Sequence, residues 1–159
     1  SNDLAHFQIG DKVKIKIDVQ HRIKTTILHS GLHIALMAAR ERCPEITKTI
    51  KGCSITTESG RLDFFTHDKF TNEDIVNIQE KAQSLIDENL EISTYPYPGQ
   101  DEAWYWKCKD FICPCGGTHV KNTGDLGKIT VKRKNIGKTT ERLIVTLSDE
   151  LLTSNNYHS

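Results

Sequence analysis

Cys113-Pro114-Cys115-Gly116-Gly117-Thr118-His119 sets a thiol and an imidazole four residues apart around two glycines. Such a loop can turn back onto a single ion, and Zn²⁺ favours a mixture of sulfur and nitrogen ligands. A second pair stands far upstream in His29-Ser30-Gly31-Leu32-His33, where two imidazoles at i and i+4 share one face of a helix. Cys115 and His119 complete a tetrahedral set with His29 and His33, and Gly116 and Gly117 let the loop approach closely. The reading constrains the fold, because a helix carrying His29 and His33 has to lie against the loop carrying Cys115 and His119. Cys113 is a second thiol in that loop; the Cys-x-x-x-His register favours Cys115 as ligand and leaves Cys113 to pack.

Around these motifs the hydrophobic period changes along the chain. Val13, Ile15, Ile17 and Val19 alternate with Lys12, Lys14, Lys16 and Asp18, which predicts a half-buried first strand. From about Arg22 to Arg42 the apolar positions Ile27, Leu28, Leu32, Leu36 and Ala39 recur at helical spacing, and Pro44 supplies a stop. Residues 53–57 and 61–65 are rich in β-branched and aromatic side chains around Glu58-Ser59-Gly60, the pattern of a hairpin. Thr71-Asn72-Glu73-Asp74 opens a second helix, with Ile75, Ile78, Ala82, Leu85 and Ile86 on its apolar face and an end near Asn89. Ile92 to Tyr97 suits an edge strand, where Pro96 and Pro98 are tolerated. Trp104, Tyr105, Trp106 and Phe111 read as packing under an irregular loop in preference to base stacking. Residues 128–134 and 140–147 form a closing hairpin around Asn135-Ile136-Gly137. The sum is an α+β fold, one domain over residues 1–159, with a mixed or antiparallel sheet packed against two main helices. Ser1-Asn2 reads as a remnant of tag removal.

Composition limits what such a site can serve. A chain of 159 residues can bury one good core, and 21 basic against 21 acidic side chains create no global positive field. RNA contact therefore has to come from a local patch. The basic region runs from Lys121 to Arg142, with Lys121, Lys132, Arg133, Lys134 and Arg142 as candidate contacts, although a solvated strand face has the same composition. No apolar run reaches membrane-spanning length, and the five cysteines have no disulfide-scaffold spacing, so a soluble protein of the reducing cytoplasm is expected.

A structural zinc has four protein ligands, as here, but such sites lean towards cysteine. Three imidazoles suit an ion that acts as a Lewis acid or activates water. A metalloprotease is excluded because Ser30 stands where HExxH has its general-base glutamate. The base-deaminase signature is missing as well, with neither HxE nor PCxxC in the chain.

His29-Ser-Gly-Leu-His33, Arg61-Leu-Asp-Phe and Cys115-Gly-Gly-Thr-His119-Val-Lys-Asn-Thr-Gly-Asp-Leu-Gly resemble the alanyl-tRNA editing proteins, relatives of the editing domain of alanyl-tRNA synthetase. The resemblance runs from about Asp18 to Leu147 and is most specific at CGGTHV. It implies the fold of the threonyl- and alanyl-tRNA synthetase editing domains and zinc on His29, His33, Cys115 and His119. It further implies a zinc-dependent deacylase that removes serine or glycine from mischarged alanine tRNA, acting in trans, with that tRNA as partner. Ser30 occupies the place where the family has a threonine that helps recognise serine, so Ser30 is expected at the amino-acid moiety, with Thr118 of the zinc loop also against substrate. Gly31 replaces the family's alanine, and the barrel-like domain of larger members has no counterpart here, so the short type is expected. Two other readings stay open: a hydrolase for another misacylated tRNA, such as threonine tRNA carrying serine, and a non-catalytic RNA-binding zinc module.

Overall fold

The computed structural model describes residues 8–148; the Ser1-Asn2 pair lies outside them. Two antiparallel sheets and two helices make up the fold, in agreement with the α+β expectation. Helix α1 spans Val19–Ala39 and starts at Asp18, whose carboxylate accepts from the His21 N–H and satisfies one of the free donors at the helix end. From Ile27 onward nearly every side chain of α1 is buried, so this is a central helix and not a surface one. Helix α2, Asn72–Asp87, begins with the expected capping box, in which Thr71 and Asp74 each satisfy the other's backbone N–H.

The strands are β1 Ile50–Ile55, β2 Ser59–Phe65, β3 Ile92–Tyr97, β4 Gln100–Cys108, β5 Phe111–Pro114, β6 Ile129–Asn135 and β7 Thr140–Leu147. One sheet has the order β1-β2-β7-β6 and the other β3-β4-β5. Both expected hairpins form, as β1-β2 and β6-β7, and β2 joins them by pairing with β7. Leu62 and Phe64 of β2 and Leu143 and Val145 of β7 turn inward to meet α1 and Phe70. Gly60 brings β2 against α1, since a Cβ there would stand 2.8 Å from Leu32 Cδ1. Strand β3 is an edge strand, so Pro96 is accommodated as anticipated.

Two expectations are corrected. Residues 13–18 are not a strand: Val13, Ile15 and Ile17 are exposed, Ile15 by 83 %, and no strand among the described residues pairs with them. Alternation supplies an apolar face, but a strand also needs a neighbouring backbone to take up its N–H and C=O groups. The aromatic stretch 104–111 is not irregular either, because Trp104, Tyr105 and Trp106 lie in β4 and Phe111 opens β5. Trp106 and Phe111 point into the core, while Trp104 remains exposed. Charged residues around these aromatics mask the alternation that the ladder imposes.

Candidate metal centre

Four donors converge where the sequence places them. One ligand atom from each of His29, His33, Cys115 and His119 lies within 4.8 Å of every other. Cys115 Sγ stands 3.4 Å from His29 Nε2 and 3.3 Å from His119 Nε2. Sulfur and nitrogen ligands at usual zinc bond lengths and a tetrahedral angle sit about 3.5 Å apart, so the spacing fits such an ion. Helix α1 contributes two donors from successive turns. The loop after β5 contributes the others, anchored where the Cys115 N–H donates to the Trp104 carbonyl over 2.8 Å. Gly117 lies against His29, and a Cβ there would fall 2.2 Å from His29 Cε1, so this position tolerates no side chain.

The imidazoles also have partners outside the donor cluster, His119 and His33 from behind. His119 Nδ1 lies 3.3 Å from Ser30 Oγ, His33 Nδ1 lies 3.3 Å from Cys113 Sγ, and the His29 ring hydrogen-bonds the Thr118 backbone. Outer partners of this kind set the tautomer and orientation of metal-binding histidines. Trp106 stacks on His33 with ring centroids 4.7 Å apart and an interplanar angle of 16°. Burial keeps the rings neutral: His33 is lowered to about 3 by desolvation and then by the neighbouring His119 and His29, and His119 to about 3 by desolvation and then His29. Desolvation also lowers His29 and raises the Cys115 thiol, so an incoming cation has to displace the thiol proton. Cys113 is pushed up to about 12, first by burial, and stays a thiol at neutral pH.

The centre is not sealed. Gly116, Gly117 and Thr118 are exposed, and His29, Cys115 and His119 are half-buried, so one side faces solvent. Thr118 stands on that side with its Oγ1 3.1 Å from Thr26 Oγ1. Sequence reasoning missed Thr26, although three residues before His29 is a position on the same helix face. Ser30, expected at the substrate, is 0 % exposed and lies behind His119. Cys113, expected only to pack, touches His33 but is not among the four converging donors.

The basic stretch divides in two. Lys121, Lys132 and Lys134 are exposed. Arg133 instead pairs with the buried Glu141, and Arg142 clasps Asp63 through Nε to Oδ1 at 2.5 Å and Nη2 to Oδ2 at 2.8 Å. Those two guanidinium groups join strands of the larger sheet.

Comparison with known proteins agrees with this geometry. Residues 106–144, which include Cys115 and His119, match the family described as the threonyl and alanyl tRNA synthetase second additional domain. Over 141 residues the chain is 32% identical to the alanyl-tRNA editing protein AlaX-M of Pyrococcus horikoshii, covering 86% of this chain and 62% of that protein. It is 29% identical over 141 residues to the alanine–tRNA ligase of Metallosphaera sedula, covering 77% of this chain and 16% of the ligase. The ligase of Ignicoccus hospitalis is 30% identical over 142 residues with the same coverages, 77% and 16%. Fold, site and sequence likeness thus set the chain beside the additional domains of threonyl and alanyl tRNA synthetases. Within that class the chain is similar to an alanyl-tRNA editing protein over most of its own length. It spans about three-fifths of the length of the editing protein it matches, 62%.

Proposed function

We propose that this protein is a zinc-dependent hydrolase that acts in trans on alanine tRNA charged with serine or glycine, cleaving the ester between amino acid and ribose in the cytoplasm. The observation that carries this reading is a four-donor cluster, two of its imidazoles fixed from behind, that stays open to solvent on one side. A purely structural site has no need of that opening. Among the described residues no helix is long and apolar enough to cross a membrane.

The residues present fit zinc: three neutral imidazoles and one thiol at tetrahedral spacing. When bound there, zinc supplies Lewis acidity towards an ester carbonyl or ribose hydroxyl and makes water more acidic. The chain's own part is orientation. Ser30 and Cys113 hold His119 and His33 by Nδ1, which leaves Nε2 of each ring for the centre. Trp106 and Val120 close the inner side against water, and exposed Thr118 and half-buried Thr26 border the open side. Editing is needed because a synthetase pocket rejects a near-isostere of alanine poorly.

The test is serine release from seryl-tRNA built on alanine tRNA, with zinc content measured on the same samples of wild type, Cys115→Ala and His33→Ala. Expected is rapid release by wild type, lost together with zinc in both variants. Wild type that holds zinc yet releases serine no faster than buffer overturns the reading. The same assay on threonine tRNA carrying serine separates the two tRNAs.

A further inference from the structure

Ser30 Oγ has no capacity left for a substrate. A hydroxyl donates one hydrogen bond and accepts two. Ser30 Oγ donates to the Thr26 carbonyl over 3.1 Å and accepts from the Val120 N–H over 3.0 Å. Its third contact is His119 Nδ1 at 3.3 Å. His119 Nε2 faces Cys115 Sγ and the centre, so in the metal-binding tautomer Nδ1 carries the proton and donates it to Ser30 Oγ. All three capacities are occupied, and the residue is fully buried.

A different pair of hydroxyls stands at the open side. Thr26, His29, Ser30 and His33 follow one another at i, i+3, i+4 and i+7 on one face of α1, so Thr26 lies one turn from the first ligand. Thr118 directly precedes the ligand His119 and is exposed. Their Oγ1 atoms are 3.1 Å apart, which bridges helix and loop beside the donors. That contact uses one hydroxyl proton and one lone pair, leaving the second proton and further lone pairs for an incoming group. A serine hydroxyl, both donor and acceptor, can join them; glycine has nothing to offer, and an alanine methyl would strip the two hydroxyls of water without replacing it.

We propose that the Thr26–Thr118 hydroxyl pair reads the side-chain hydroxyl of a seryl ester at this site, and that Ser30 is a positioning residue for His119. The proposal rests on the deacylase reading above and names the element that sets its amino-acid preference.

The experiment compares kcat/KM for seryl and glycyl esters of the same alanine tRNA in wild type, Thr26→Val, Thr118→Val, the double variant, Ser30→Ala and Ser30→Thr, with zinc affinity measured for each. Valine keeps the shape of threonine and removes the hydroxyl. Expected is a fall of about tenfold in the seryl-to-glycyl ratio for each valine variant, the size of one substrate hydrogen bond. The double variant should fall little further, because the hydroxyls act as a unit. Ser30→Ala should weaken zinc binding and slow both esters alike at an unchanged ratio, and Ser30→Thr should restore zinc affinity. A ratio within twofold of wild type in both valine variants, or a ratio that collapses in Ser30→Ala at full zinc affinity, overturns the proposal. Wild type inactive on both esters defeats the deacylase reading and this proposal with it; active wild type with unmoved ratios defeats this proposal alone.

Discussion

Cys113 Sγ lies 3.3 Å from His33 Nδ1, in a buried contact that joins β5 to the middle of α1. Burial keeps Cys113 a neutral thiol, with its pKa pushed up to about 12. With Nε2 of His33 left for the centre, its Nδ1–H donates a hydrogen bond to the Cys113 sulfur, which adds no charge there. Removing such an outer partner commonly weakens metal binding about 10- to 100-fold. Cys113→Ala is expected to lose zinc affinity on that scale in a chelator competition. Cobalt substituted for zinc should show the charge-transfer intensity of one thiolate in wild type and Cys113→Ala alike; a halved intensity in the variant would make Cys113 a ligand.

Gly117 and His29 are so close that any side chain at 117 collides with the ring, given a Cβ at 2.2 Å from His29 Cε1. Gly117→Ala must move either the loop or a ligand. Expected is loss of zinc stoichiometry and serine release with circular dichroism unchanged, since neither core nor sheets involve that position. Retained zinc at wild-type affinity would contradict this.

Gly31 sits inside α1, where glycine is about 1 kcal/mol worse than alanine. A Cβ at this position would meet Val145 Cγ1 at 3.4 Å and Ile129 Cγ2 at 3.8 Å, both ordinary contacts. Gly31→Ala is therefore expected to stabilise the fold by roughly 0.5–1 kcal/mol in urea unfolding. Destabilisation would mean that α1 and β7 cannot yield even slightly.

Acid should weaken the zinc-depleted protein. His33 and His119 are both held at about 3 in the folded chain, below the ordinary histidine value of 6.5 that applies on unfolding. Between those values the unfolded chain binds more protons, so stability rises with pH. It is fully present above about 6.5 and is lost as pH falls towards about 3. Urea midpoints of the metal-free protein at about pH 7 and about pH 4.5 check this, and equal midpoints would contradict it. Substituting His119→Gln should flatten part of the slope.

Local signals were legible where a few neighbouring residues suffice. The Thr71 and Asp74 capping box, the prolines that keep β3 at an edge, and the converging residues His29, His33, Cys115 and His119 all follow from short spacings. The alternation in residues 13–19 was just as regular, yet it forms no strand among the described residues, because pairing depends on a backbone elsewhere. The stretch 104–111 failed in the opposite sense, its weak alternation made regular by the β3-β4-β5 ladder.

By itself, then, the sequence determined the donors, the helix that presents two of them and the loop that closes on them. These are written in the spacing of chemically distinctive residues. Only the tertiary structure decided the roles around them: Ser30 behind His119, Cys113 behind His33, Thr26 beside Thr118, and Arg133 and Arg142 joined to Glu141 and Asp63. In each of these pairs except Arg133 and Glu141 the partners lie far apart in the chain, and which atom meets which depends on how α1 rotates against its neighbours or, for Arg142 and Asp63, on the register of β2 against β7, relations that no local period contains.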